Sequence, residues 1–346
     1  MSFTRIWQSG AEMQHLNELE ELASLGSASA NISSTAAKTG TYSYRFGASS
    51  YPRGKAFSAT QFRAGYFLQH NGLGASTSST QAIIFHVTTT GITNIYVIWK
   101  GDTNDLELYV NGTLRDSINA ATAGFNTTGT WYHMGIACKT DASTGWVSIY
   151  LDGVKILDWS GNTGTAATAV YVGGRASTGG WGNYMYADDF YVDSASAESD
   201  APVPSYRFLW QAVNAAGTSV AWTATGAASN YQCVDDGVPN DDTDYVSAAS
   251  SGLIDYYNTA SVTVPVGYVI NAVIVAAWAK KTDAGTDSEI KLGTRLSGTD
   301  STGSAQNLPT TYGPVFERQT TKPGGGTWTE SDANSAEVKI ESAGTF

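Results

Sequence analysis

Trp131-Tyr-His-Met-Gly-Ile-Ala-Cys-Lys139, followed after a short polar turn by Gly145-Trp-Val-Ser-Ile-Tyr-Leu-Asp-Gly-Val-Lys-Ile-Leu-Asp-Trp159, is the stretch that decides the fold class. Tyr132, Met134, Ile136 and Cys138 recur at every second position, and so do Val147, Ile149 and Leu151. Successive side chains of a strand point to opposite sides, so this period predicts strands with one buried face. Asp152-Gly153 then supplies two residues that tolerate positive φ, as a type I′ hairpin turn requires, before Val154 to Leu157 returns. Leu106-Glu-Leu-Tyr-Val110 runs into Asn111-Gly112 and Thr113-Leu-Arg115 with the same syntax. Two hairpins of one design predict an antiparallel all-β domain.

Working outward, the rest of the chain repeats this style. Strands are expected at 260–266, 289–296 and 336–341, and the apolar run Tyr268 to Ala279 reads as a strand in the middle of a sandwich, buried on both faces. Apolar residues at helical spacing occur in Ala11 to Leu25, where Leu16, Leu19, Leu22 and Leu25 predict one short helix or turn. The 346 residues exceed one ordinary sandwich and suit two domains. Ser194-Ala-Ser-Ala-Glu-Ser-Asp-Ala-Pro-Val-Pro-Ser205 interrupts the strand patterns, so the expected division is a domain over 1–193, a linker over 194–205 and a second domain over 206–346.

Composition excludes several classes of function. Apolar residues reach 42%, enough for packed cores, while charged residues reach only 14% against a usual share of about 25%. The surface is therefore neutral and polar, built from Gly, Ser, Thr and Asn. A formal net charge of -12 without a basic cluster excludes nucleic acid as a partner, because phosphate binding needs grouped Lys and Arg. The opening residues lack the layout of a signal peptide and no apolar run is long enough to span a bilayer, so the expectation is synthesis in a cytosol without membrane insertion. The two cysteines, Cys138 and Cys233, fall in different domains and make no disulfide framework; Cys138 reads as a buried free thiol.

Several segments of residues 1–193 resemble, in order, the concanavalin A-like or laminin-G-like jelly roll: Thr39-Gly-Thr-Tyr-Ser-Tyr-Arg-Phe46, Thr130-Trp-Tyr-His133, Trp146-Val-Ser-Ile-Tyr-Leu-Asp-Gly153, Val170-Tyr-Val-Gly-Gly174 and Ala187-Asp-Asp-Phe-Tyr-Val-Asp193. Residues 206–346 resemble a sandwich domain of tailed-phage structural proteins through Asp235 to Ser247, Ile270 to Lys281 and Tyr312 to Trp328. Together these resemblances imply two tandem β-sandwich domains. They also imply a virion surface part, assembled in the host cytoplasm.

Concanavalin A-like folds include glycoside hydrolases, which need two carboxylates flanking the scissile bond. Asp105 and Glu107 sit at i and i+2 but lack a third acid, and Glu18, Glu20 and Glu21 fall in the expected helix, so no enzyme is predicted. His15, His70, His86 and His133 are scattered without metal-ligand spacing, and His86, alternating with Ile84, reads as a packed strand histidine. Asp235, Asp236, Asp241, Asp242 and Asp244 are dense enough in hard oxygen to be candidate calcium ligands, against a solvated acidic turn braced by Gly237 and Pro239; Asp188, Asp189 and Asp193 form a second such group. Sugars stack on exposed aromatics and bond to amides, so Trp181, Asn183 and Tyr184 in Gly179-Gly-Trp-Gly-Asn-Tyr-Met185 are the carbohydrate-binding candidates. Trp99, Trp131 and Trp278 read as structural. The expected function is a non-enzymatic head decoration, fibre or tail appendage that contacts other capsid or tail proteins as a homo-oligomer and displays a lectin-like domain. The alternative is a receptor-binding lectin for host surface polysaccharide, and a polysaccharide-degrading enzyme comes third.

Overall fold

The computed structural model of the chain describes residues 3–9, 11, 20–21, 31–47, 50, 52–71, 81–174, 184–195, 203–282 and 287–346. It is almost entirely antiparallel β, in two compact units, Met1–Phe208 and Leu209–Phe346.

The first unit contains β1 (Phe3–Ser9), β2 (Glu20–Glu21), β3 (Asn31–Ser33), β4 (Ser43–Phe46), β5 (Arg53–Ala59), β6 (Gln61–His70), β7 (Gln81–Thr90) and β8 (Ile95–Lys100). It continues with β9 (Asp105–Val110), β10 (Thr113–Asn119), a single helical turn α1 (Ala120–Ala123), β11 (Trp131–Lys139), β12 (Gly145–Leu151), β13 (Val154–Gly161), β14 (Ala166–Val172) and β15 (Met185–Ala195). One sheet runs β13-β12-β11-β6-β15-β4-β3, with β1 also on β15; the other runs β10-β9-β8-β7-β14-β5-β2. Strands distant in sequence alternate with hairpin neighbours, which gives a jelly-roll sandwich. Of the expected helix over 11–25, Glu20–Glu21 is strand, paired with Gly54 and Arg53; apart from Ala11, the remainder lies outside the described residues.

The period-two residues meet between the sheets. Met134, Ile136, Cys138, Val147 and Ile149 from one side pack with Phe85, Val97, Trp99, Leu106 and Leu108 from the other. Each such aliphatic side chain contributes roughly 1.5–3 kcal/mol by leaving water. Tyr66 is fully buried and donates its hydroxyl to the Ile84 carbonyl at 2.8 Å. Both hairpin turns have the expected left-handed pairs: Asn111 and Gly112 at φ 53° and 73°, Asp152 and Gly153 at 48° and 83°.

Part of the outer face of the eight-stranded sheet is covered by the chain itself. Val203, Tyr206 and Phe208 pack on Ala137, Tyr150, Tyr191 and Trp146. Gly65 and Gly135, opposite each other on β6 and β11, clear the space: a Cβ at Gly135 would lie 2.6 Å from Val203 Cβ. Arg207 donates to Thr39 Oγ1 and to the Lys38 carbonyl, both at 2.6 Å, and its Nε lies 3.4 Å from Asp189. The Phe208 amide donates to Asp189 Oδ1 at 3.0 Å. The expected linker over 194–205 is thus strand at its start and docked segment at its end, and the division falls at 208/209.

The second unit contains β16 (Val213–Ala216), β17 (Thr223–Thr225), β18 (Tyr245–Ser247), β19 (Ile254–Thr259), β20 (Val273–Ala279), β21 (Ser288–Leu296), β22 (Thr299–Thr302), β23 (Gln306–Asn307), β24 (Gly313–Gln319), α2 (Glu330–Ser335) and β25 (Glu337–Gly344). Its main sheet runs β16-β19-β25-β21-β22, with β23 on β21. Tyr257, Ile290, Leu292 and Ile340 of this sheet pack against Val275 and Val315 of the two-stranded sheet β20-β24. Two expected strands are corrected here. The segment 260–266 is not strand but a strap bonded to α2, with Asn334 accepting from the Val262 amide at 2.9 Å and donating to its carbonyl at 2.9 Å. The run 268–279 becomes strand only at Val273, and Val266, Val269 and Tyr268 are exposed at a turn, so its apolar character does not mark a two-face buried strand.

Candidate functional site

While residues 203–208 pack on part of one outer face of the first sandwich, the opposite outer face carries side chains in an ordered pattern. On β8, Ile95, Val97 and Trp99 point into the core, which turns Tyr96, Ile98 and Lys100 outward. On β9, Leu106, Leu108 and Val110 point inward and Glu107 and Tyr109 outward. β7 carries a register shift between Ile83 and Phe85 that puts both Ile84 and Phe85 in the core and brings His86 to the outside. A shift between Ala167 and Ala169 does the same for Tyr171 on β14.

Pairing then lines these residues up. Leu114 is opposite Tyr109, Tyr109 opposite Tyr96, Tyr96 opposite His86, His86 opposite Tyr171 and Tyr171 opposite Gly54. The rings of Tyr96 and Tyr109 are parallel within 10° at 4.8 Å, His86 lies 6.2 Å from Tyr96 at 18°, and Tyr171 meets His86 edge-on at 6.4 Å. Cross-strand pairs of this kind stabilise a sheet by roughly 0.2–1 kcal/mol each. Three parallel rings turn their faces to one another, so they offer edges, hydroxyls and ring nitrogens to a ligand. His86 and Tyr171 keep 6% and 8% of their surface exposed, Tyr96 and Tyr109 are half-buried, and Leu114 is exposed.

The row carries little charge. Burial lowers the His86 pKa to about 4, against an opposing hydrogen bond with Asn94, so the imidazole is uncharged at neutral pH. Burial, then Glu107, raises the Tyr109 hydroxyl well above its ordinary value. That hydroxyl donates to Glu107 Oε2 at 2.7 Å, and Glu107 Oε1 lies 3.4 Å from Lys100 Nζ. The remaining acid on this strand, Asp105, accepts from Asn119 at 3.2 Å. Of this row, Leu114, Tyr109 and Tyr96 reach solvent, while His86 and Tyr171 are buried.

Of the sequence-derived sugar candidates, Trp181 and Asn183 lie outside the described residues. Tyr184 is exposed and sits at the start of β15, in the other sheet, with the Arg45 guanidinium 4.6 Å above its ring. It is not brought to the aromatic row. The acidic loop of the second unit is shared out among protein donors. Trp278 Nε1 donates to Asp241 at 2.9 Å, Lys280 pairs with Asp242 at 2.7 Å, and the Tyr312 hydroxyl donates to Asp242 at 3.1 Å. Asn240 bridges Asp236 at 2.6 Å and Asp244 at 2.8 Å. Among the described residues no group of three or more His, Cys, Asp or Glu side chains is placed to hold a metal, Asp235 included. Asp188 is likewise filled by the amides of Lys38 and Thr39, and Asp193 by Arg63 at 3.0 Å. Trp99 is core and Trp278 holds the acidic loop, while Trp131 is half-buried.

Sequence reasoning missed the row, although the signal was present: Tyr96, Tyr109 and Tyr171 each stand between two aliphatic residues that point inward.

No family model matches the chain, and no curated protein does. Among solved structures it is similar to a cellulose-induced protein (12% identity, 51% of this chain and 90% of that one, TM-score 0.38). It is also similar to domain 4 of the arabinanase AbnA from Geobacillus stearothermophilus in complex with arabinotriose (12%, 56% and 94%, TM-score 0.38). A third is the carbohydrate-binding module CBM66 from Bacillus subtilis (10%, 48% and 92%, TM-score 0.32). Likeness at this level supports no conclusion about the ligand of this chain.

Proposed function

We propose that this chain is a non-catalytic adhesion protein whose first unit binds glycan on the outer face of its seven-stranded sheet. The observation that carries the reading is the in-register row Leu114, Tyr109 and Tyr96 on one outer face, continued by the buried His86 and Tyr171, while residues 203–208 pack on part of the other. The uncharged hydroxyls of the half-buried Tyr96 and Tyr109 match the donors and acceptors of a sugar. Absence of turnover is part of the proposal: Asp105 and Glu107 are engaged by Asn119, Lys100 and Tyr109 rather than paired across a cleft.

The finer reading places the protein on the outside of a tailed-phage particle, as a head decoration, fibre or tail appendage. Its support is the resemblance of 235–247, 270–281 and 312–328 to phage structural proteins. In this reading the second unit attaches to capsid or tail protein, and many copies gain avidity from weak sugar contacts.

A polysaccharide array probed with the full chain tests the first claim. Binding is expected for at least one polymer, with at least tenfold loss in the double variant Tyr96→Ala, Tyr109→Ala. An array with no binding, or binding untouched by the double variant, removes this face from the function. Release of reducing ends from a bound polymer would make the protein an enzyme. Immunogold labelling of particles from the lysate containing this chain tests the virion placement; unlabelled particles would exclude it.

A further inference from the structure

We infer that the outer face of the eight-stranded sheet carries a second binding site, at Arg45 and Tyr184, for the carboxylate of an acidic sugar. It lies on the other sheet from the proposed glycan face and stands or falls independently of it.

The strands place the site. On β4, Tyr44 and Phe46 point into the core, which turns Arg45 outward. Pairing sets Arg45 opposite the exposed Asn31 on β3 and opposite Tyr186 on β15. Tyr186 keeps 3% of its surface and serves as floor rather than contact. Tyr184, 40% exposed, lies under the guanidinium, whose carbon is 4.6 Å from the ring centroid. Gly47 leaves room for that ring, since a Cβ there would stand 3.3 Å from Tyr184 Cε1. Stacking on a seated ring fixes the plane of the guanidinium before a ligand arrives, so less freedom is lost on binding.

The site lacks a counter-ion. Arg63, Arg207 and Arg295 each come within 3.4 Å of an acid. Among the described residues the Arg45 side chain meets no carboxylate and makes no hydrogen bond, and its Nε is buried without a partner. Asp188, the next outward residue on β15 after Tyr186, is fully buried and accepts from the amides of Lys38, Thr39 and Asp189. A cation partly withdrawn from water without an acid beside it is half of an ion pair. With Nε enclosed, the two terminal nitrogens are the fork left to a ligand, and that fork matches a carboxylate.

The surroundings select a sugar. Neither the Tyr184 hydroxyl nor the Asn31 amide makes a side-chain hydrogen bond among the described residues. A cation flanked by a neutral hydroxyl and a neutral amide fits a ring that carries one carboxylate and several hydroxyls. A polyanion would need grouped Lys and Arg instead.

The test is calorimetric titration of the full chain with oligogalacturonate, oligoalginate and sialyllactose, set against oligogalactan, oligomannan and lactose. Acetate, inorganic phosphate and a tetra-aspartate peptide are titrated alongside. At least one acidic sugar is expected to bind about tenfold or more tightly than its neutral counterpart and than the three other anions. Arg45→Gln is expected to remove that preference, and Arg45→Lys, which keeps the charge but loses the fork, to weaken it about fivefold. Tyr184→Phe keeps the ring under the guanidinium and is expected to cost about threefold. The urea midpoint of each variant checks its fold, and the double variant Tyr96→Ala, Tyr109→Ala is expected to leave the acidic sugar unaffected. No preference for any acidic sugar, or a preference untouched by Arg45→Gln, would overturn this inference and leave the seven-stranded face as proposed. Loss of the preference in the double variant would place the acidic sugar on that other face and overturn it as well. Acetate or phosphate binding as tightly as the sugar would mean an anion site without sugar recognition, and tighter binding of the peptide would mean a protein contact; either result overturns the inference.

Discussion

At the scale of single residues, the buried histidines set how the first unit responds to pH. His70 lies among Trp99, Phe125 and Tyr132, with ring centroids at 4.6, 4.7 and 6.1 Å. His133 packs on Phe67 at 5.3 Å, and His86 sits between Tyr96 and Tyr171. Burial lowers all three pKa values from 6.5 to about 4. Between those values the unfolded chain binds more protons than the folded one, so stability rises with pH across the window. It is fully present above about 6.5 and is lost as pH falls toward 4, each histidine contributing on the order of 2–3 kcal/mol. The urea midpoint of the first unit is expected to be lower at pH 5 than at pH 7, and His133→Gln should flatten that slope. An unchanged slope would mean that His133 is solvated. Burial of Cys138 and packing of His86 were legible from alternation alone. The direction in which His86 faces was not, because the irregularity in β7 resets the parity on which alternation depends.

At the scale of elements, turn chemistry is local and was readable, whereas docking of one segment on a sheet face is not. Asn111-Gly112 and Asp152-Gly153 announce their hairpins in two residues each. Nothing in Pro202 to Phe208 announces that Val203 fits above Gly135 or that Arg207 reaches Asp189, since the partners lie 68 and 18 residues upstream, on other strands. Small polar residues and prolines read as spacer, and the docked end was missed for that reason. The aromatic row was missed on the same ground: it is assembled from separate strands by pairing, and no window of sequence contains it. The docked segment leads to a direct expectation. A fragment ending at 208 should be more stable than one ending at 193, because the shorter piece uncovers Ala137, Tyr150 and Tyr191 and leaves Asp189 without Arg207 and the Phe208 amide. Burial of Val203 alone is worth about 1.5–3 kcal/mol. Gly135→Val in the longer fragment should remove much of the difference, since even a Cβ there overlaps Val203. Equal denaturant midpoints for the two fragments would show that the segment adds nothing.

At the scale of the whole molecule, the two units differ in how much core holds them. The first joins residues from two long sheets into one extended apolar cluster, while the second divides its core between a group around Leu292 and a separate group around Trp328. Two small cores bury less surface per residue than one large core. Both cysteines are free, so no covalent link supplements either core. The second unit should therefore unfold first on heating, giving two calorimetric transitions insensitive to reductant. Point changes of one methylene can assign them. Ile290→Val, at a position 2% exposed in the second unit, is expected to cost about 1 kcal/mol and to lower the first transition by a few degrees. Ile149→Val, fully buried in the first unit, should lower only the second transition by a similar amount. If both changes shift one common transition, the units fold as a single cooperative block. An adhesive face on the first unit would then be coupled to events at the second, and losses of sugar binding from changes near Trp328 would have to be attributed to stability before they were attributed to recognition.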